Sequence, residues 1–155
     1  ALHDIGRMAI DARILNAPDP TPEQKAILRT HTILGAQMLE NLSQYQNEPL
    51  VKFALQICRW HHERWDGSGF PDGLKGDSIP IAAQVVALAD AYDSLVGKGD
   101  KHLALPQAQA IAELEAGTYG AFNPLLLECL RDVKDRLAEE AGMDTPAPPR
   151  KKTTL

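Results

Sequence analysis

Four of the chain's five histidines fall in three short segments: His3 beside Asp4, then His31, then the pair His61-His62. A further aspartate, Asp90, sits in Val85-Val86-Ala87-Leu88-Ala89-Asp90-Ala91, an apolar run with no basic residue at i±3 or i±4. Imidazole and carboxylate without thiolates are the donor set of iron, manganese, zinc or nickel, not of a structural zinc finger. Each residue alone has an ordinary explanation. His31 suits a hydrogen-bonded core or helix-end histidine, His3-Asp4 a chance dipeptide. His61-His62 can face the last carbonyls of a helix, and Asp90 can pair with Arg7 or Arg59. Together, those explanations require independent coincidences at core-facing positions, and a carboxylate is rarely buried without a cation. The pattern predicts a metal centre.

Helices must position these groups. Thr21-Pro22-Glu23-Gln24 reads as a helix start, with Thr as N-cap, Pro at the first position and Gln three residues after the cap. Ile27, His31, Leu34 and Met38 then recur at helical spacing, predicting one helix to about Leu42. A second helix is predicted from Pro49 to His62, with Leu50, Ala54, Ile57, Cys58 and His61 inward. Glu63 to Ser78 is a glycine-rich loop whose Trp65 and Phe70 argue for order. A third helix runs from Ser78-Ile79-Pro80 to Val96, with Ala83, Val86, Ala87 and Asp90 inward, and Gly97-Lys98-Gly99-Asp100 breaks it. Further helices follow over Pro106 to Ala116 and Pro124 to Ala141. Residues 1–141 are read as one all-α domain and 142–155, with three prolines and Arg150-Lys151-Lys152, as a flexible tail.

Composition narrows the function classes. The 155 residues are 44% hydrophobic, 24% charged and 5% aromatic, which favours a helical globular domain. No apolar run approaches the roughly 20 residues of a membrane span. A net charge of −5 excludes a basic footprint for duplex nucleic acid. Cys58 and Cys129 lie among apolar residues with no metal spacing and are expected to be free core thiols of a reduced, cytoplasmic compartment. No signal peptide is recognised, and the opening Ala1-Leu2-His3, without an initiator Met, suggests a piece of something longer.

His3-Asp4-Ile5-Gly6, His31, His61-His62 and Asp90 resemble the HD superfamily of metal-dependent phosphohydrolases. The segment from His61 to Leu74, with Gly69-Phe70-Pro71, is similar to the signature of its HD-GYP branch, Phe70 standing where that branch usually has Tyr. Ala89-Asp90-Ala91-Tyr92-Asp93-Ser94-Leu95 resembles the motif that follows. The resemblance covers residues 1 to about 130. It implies an HD-type helical bundle around two or three divalent ions, iron or manganese, that hydrolyses cyclic di-GMP or a related cyclic dinucleotide. It further implies that His3, Asp4, His31, His61, His62 and Asp90 are metal ligands, with Asp4 bridging two ions. A sensor or receiver domain is expected upstream.

Three departures accompany the resemblance. Branch members carry further Glu or His ligands on a helix before the HD pair, and this chain begins two residues before His3, so partial or no metal occupancy is expected. Arg7 stands where the branch has Lys. Arginine can clamp a phosphate bidentately but cannot donate a proton, so Arg7 is expected to join Asp4 in catalysis as a clamp. The branch's basic Arg-Pro-Tyr-Arg/Lys segment aligns with Gly99-Asp100-Lys101-His102, leaving Lys101 and His102 as substrate contacts. Each charged hydrogen bond lost there costs on the order of 1–3 kcal/mol. Two other readings therefore fit the same residues. One is a non-catalytic regulatory module docking a signalling protein through Trp65, Gly69, Phe70 and Pro71; the other is a phosphohydrolase for another ester. In the loop, Gly67 and Gly69 either admit a guanine or partner, or simply make turns while Trp65 and Phe70 pin the segment down.

Overall fold

In the computed structural model, which describes residues 2–97 and 104–140, the elements are helical and no strand occurs among the described residues. A 3-10 turn at Ile5–Ala9 leads into the short helix α1 (Ala12–Leu15). Then come α2 (Pro22–Arg29), α3 (His31–Glu40), α4 (Pro49–Trp60), α5 (Ile81–Val96), α6 (Gln107–Glu115) and α7 (Pro124–Glu140). The all-α architecture expected from the sequence is the one observed. Lys101, His102 and the segment 142–155 lie outside the described residues.

The start of α2 follows the sequence signal. Thr21 Oγ1 accepts from Gln24 N at 3.3 Å, and Gln24 Oε1 accepts from Thr21 N at 2.9 Å, a reciprocal capping box. Thr21→Ala is expected to lower stability by about 1 kcal/mol, measured as a shift of the urea midpoint, with the centre described below unchanged.

The predicted single helix from Thr21 to Leu42 is instead two, broken at Thr30. Three consecutive side chains donate to the last carbonyls of α2. Thr30 Oγ1 reaches Ile27 O (2.6 Å), His31 Nδ1 reaches Leu28 O (2.6 Å) and Thr32 Oγ1 reaches Arg29 O (3.0 Å). Such side-chain bonds satisfy carbonyls that an uninterrupted helix would have bonded through its own backbone. The restart turns α3, so its buried face is His31, Thr32, Gly35, Ala36 and Leu39, while Ile27 is left 42% exposed. Cys58 on α4 and His61 at its C-cap are buried as expected, but Leu50 is 76% exposed.

Two packing centres result. Gly6 of the first turn lies against α3, and α3 crosses α4 with Ala36, Leu39 and Cys58 buried. On the other side α5, α6 and α7 enclose an apolar cluster including Leu88, Tyr92, Ile111, Leu114, Phe122 and Leu130. Contacts between α4 and α5 join the halves. Cys129 is exposed, against the expectation of a core thiol, because it lines an open apolar groove between α5 and α7 with Leu126, Val133 and Leu137; Cys58 is buried. No helix among the described residues is long and apolar enough to cross a membrane.

Candidate metal centre

The break at Thr30 makes His31 the first residue of α3 and orients its ring. A carbonyl only accepts, so the contact of His31 Nδ1 with Leu28 O puts the proton on Nδ1 and leaves Nε2 with a lone pair. His61 caps the C-terminus of α4 and is held in the same way, Nδ1 lying 2.9 Å from Ile57 O and 3.1 Å from Cys58 O. The two free nitrogens then meet: His31 Nε2 is 3.4 Å from His61 Nε2.

Asp4 closes the group from the opposite side. Its Oδ1 lies 3.2 Å from His31 Nε2 and 3.8 Å from His61 Nε2, yet it is buried with no donor aimed at it. His62 completes a set of four in which one ligand atom from each of Asp4, His31, His61 and His62 lies within 4.8 Å of the others. Lone pairs and a bare carboxylate oxygen facing one another at these distances need a positive charge between them. A proton is a poor candidate. Burial pushes His31 below the usual imidazole range, His61 down to about 4 and His62 down to about 2. The donor set and the orphaned oxygen therefore fit a divalent cation.

That burial has a consequence for the protein freed of metal by a chelator. The unfolded chain takes up protons on its imidazoles near pH 6.5, whereas folded His61 resists until about pH 4. The unfolded state thus binds more protons in this window, and stability falls as pH falls through it. A loss of about 2 kcal/mol between pH 7 and pH 5 is expected from His61 alone, read as a lower urea midpoint. A flat profile over that range would show that the imidazoles are not desolvated.

The other expected ligands stand beside this set. His3 Nε2 is 3.7 Å from Asp4 Oδ2 and 3.6 Å from Asp90 Oδ1, and its ring centroid is 5.0 Å from that of His61. Asp90 is not the buried carboxylate its apolar neighbours suggested: its side chain is 39% exposed and faces His3 rather than Arg7 or Arg59. Arg7 holds Asp4 Oδ2 through Nε at 3.0 Å, and Arg59 is engaged by Asp72. Cys58 plays no part as a ligand. Its thiol gives its hydrogen to Leu2 O (3.1 Å), and burial raises its pKa to about 11.

The loop after His62 is ordered by contacts within the chain. Phe70 stacks on His62 with centroids 4.7 Å apart, and the Arg29 guanidinium lies 5.0 Å over the same Phe70 ring. Gly69 faces the backbone of Glu63 and Arg64, and a Cβ there would lie 2.5 Å from His62 O. Trp65 N donates to Ala121 O (2.8 Å), and Pro71 follows Phe70 through a cis peptide bond.

Glu63, which sequence reasoning passed over, organises the far side of this loop. It is buried, and its Oε1 accepts from Asp72 N (2.8 Å) and Gly73 N (3.0 Å). Asp72 in turn receives Arg59 Nε (2.8 Å) and Trp60 Nε1 (2.7 Å). Those two bonds hold the Asp72 carboxyl below the usual range. An acid directly after the His pair, ahead of a run of Gly and Asp needing N–H acceptors, was the available signal.

Comparison with known proteins agrees with this geometry. The family model described as HD domain matches residues 1–123. A cyclic di-GMP phosphodiesterase of Thermotoga maritima is 36% identical over 149 residues, covering 93% of this chain and 39% of the relative. A 3'3'-cGAMP-specific phosphodiesterase of Vibrio cholerae is 37% identical over 130 residues, covering 83% of this chain and 24% of the relative. The chain thus spans under two-fifths of the length of these relatives. Among solved structures, an HDG"Y"P protein from Bdellovibrio bacteriovorus matches with a TM-score of 0.63 and 25% identity, over 86% of this chain and 40% of that one. With His3-Asp4, the buried histidines and the loop from His61 to Leu74 converging on one centre, the chain belongs to the HD domain family, in its HD-GYP branch.

Proposed function

We propose that the protein carrying this chain is a metal-dependent phosphodiesterase that opens cyclic di-GMP or a related cyclic dinucleotide to the linear form. The observation that supports this most is the orphaned Asp4 Oδ1 facing two unprotonated Nε2 atoms. Asp4, His31, His61 and His62 would hold one ion, and His3 and Asp90, joined to Asp4 through His3, would complete a second position; iron or manganese suits this donor set. Such ions supply Lewis-acid polarisation of a phosphoryl oxygen and an acidified water when bound.

The chain's own residues do the rest. Arg7 spends its Nε on Asp4, and its terminal nitrogens remain to take a phosphate oxygen beside the ligands. It holds charge and moves no proton, since arginine stays protonated. Phe70 covers one face of His62 and keeps water from that ring. The names of the relatives above support a cyclic dinucleotide as substrate.

The test is turnover of cyclic di-GMP and 3'3'-cGAMP by the protein loaded with iron or manganese, with linear dinucleotide separated by chromatography. Metal-dependent appearance of linear product, abolished by a chelator, is the expected result. No linear product from either substrate with stoichiometric metal bound would overturn the proposal.

A further inference from the structure

Arg29 is exposed at the end of α2, and no carboxylate lies within ion-pair distance of its guanidinium among the described residues. Instead it rests over Phe70, whose ring stacks on His62. Two hollows meet at this Arg29–Phe70 contact. The inner one, about 240 Å³, is lined by Arg7, His31 and His62. The outer one, about 500 Å³, runs along α2 past Lys25 to Pro71. Pro22, Lys25, Ala26 and Arg29 are spaced i, i+3, i+4, i+7 and form one face of α2, so the helix presents both cations to the same hollow. No acidic side chain lines either hollow, in a chain whose net charge is −5. In the outer hollow Lys25 and Arg29 concentrate positive potential at one place, while Arg7 of the inner one is paired with Asp4.

We infer that this groove is the subsite for the distal half of a cyclic dinucleotide, with Arg29 gripping the phosphate that is not being cleaved. The inference rests on the phosphodiesterase reading and names its second anchor. A cyclic dinucleotide carries two phosphates held apart by one ring. Arg7, paired to Asp4, serves the phosphate at the ligands; Arg29, one hollow further out, serves the other. A guanidinium lying over an aromatic ring keeps its N–H edge free for bidentate contact with a phosphate, and the ring limits the conformations it must give up. Ala26, Ile33 and Pro71 provide an apolar floor suited to the face of a purine. Arg29 acts here as a binding residue and touches no reacting atom.

The experiment compares wild-type, Arg29→Ala and Arg29→Lys protein, each loaded with metal, on cyclic di-GMP and on bis(p-nitrophenyl) phosphate, which has no distal half. Arg29→Ala is expected to raise KM for cyclic di-GMP about tenfold with little change in kcat. That loss should exceed the loss on the small diester at least about fivefold, with Arg29→Lys recovering part of it. Equal losses on the two substrates, or none on either, overturn the subsite. If wild-type protein turns over neither substrate, the phosphodiesterase reading falls. Calorimetric Kd for cyclic di-GMP then decides the subsite separately: about tenfold weaker binding in Arg29→Ala upholds it, and an unchanged Kd overturns it.

Discussion

Asp4→Asn is expected to lose bound metal and to cut turnover of cyclic di-GMP about a thousandfold, while leaving the helical fold in place. Asn has the same shape, so packing is preserved and the change is one of charge. The carboxylate oxygen that faces His31 Nε2 and His61 Nε2 is buried and without a donor. Replacing it removes the one anion in the set of four and with it most of the attraction for a divalent ion. A loss of about 4 kcal/mol of transition-state stabilisation corresponds to the thousandfold figure. In the metal-free protein the variant behaves differently. An amide N–H can donate to an imidazole lone pair, and what is given up is a half-exposed ion pair with Arg7 and a longer contact with His3. Its chelated form should therefore match wild-type stability to within about 1 kcal/mol. Elemental analysis, turnover and a urea titration on the same samples separate these effects. Full metal content with full turnover in Asp4→Asn would remove Asp4 from the centre.

Gly6→Ala is expected to destabilise the protein by about 3 kcal/mol and to reduce metal binding together with stability. A Cβ at residue 6 would overlap the His31 carbonyl and lie 2.5 Å from Gly35 N. Both obstacles are backbone atoms of α3, so neither can rotate away. The 3-10 turn at Ile5–Ala9 would have to lift off α3, carrying Asp4 away from His31. Gly35 makes the matching approach from the other side, where a Cβ would stand 3.2 Å from Gly6 N. A urea midpoint equal to wild type, with metal retained, would refute this account.

How far the centre could be read in advance differs from residue to residue. The Thr21 cap, the helix opening at Pro49 and the buried His61 follow from local chemistry and periodicity, and the structure reproduces them, ending that helix at Trp60 rather than near His62. The break at Thr30 was not legible, because it depends on three side chains choosing carbonyls over solvent, and such bonds leave no periodic trace. Asp90 misled in the opposite direction. Its apolar neighbours implied burial, but α5 turns it toward His3 and partly toward solvent. Cys129 shows the same fault, since apolar neighbours in sequence say that a residue can be buried but not whether another helix covers it.

By itself, the sequence determined the helical class, the set of histidines and aspartates, and the loop signature from His61 to Leu74, because residue type and short-range spacing carry these directly. Tertiary structure alone decided which of those groups meet. His31 and His61 are 30 residues apart, and only the crossing of α3 with α4 brings their Nε2 atoms to 3.4 Å. Only the close approach of Gly6 to α3 sets Asp4 opposite them. It also decided which nitrogen of each ring is free, through carbonyls at Leu28, Ile57 and Cys58. The reason is physical: a metal centre is a matter of lone pairs converging within a few ångströms, and sequence spacing constrains direction only within one helix.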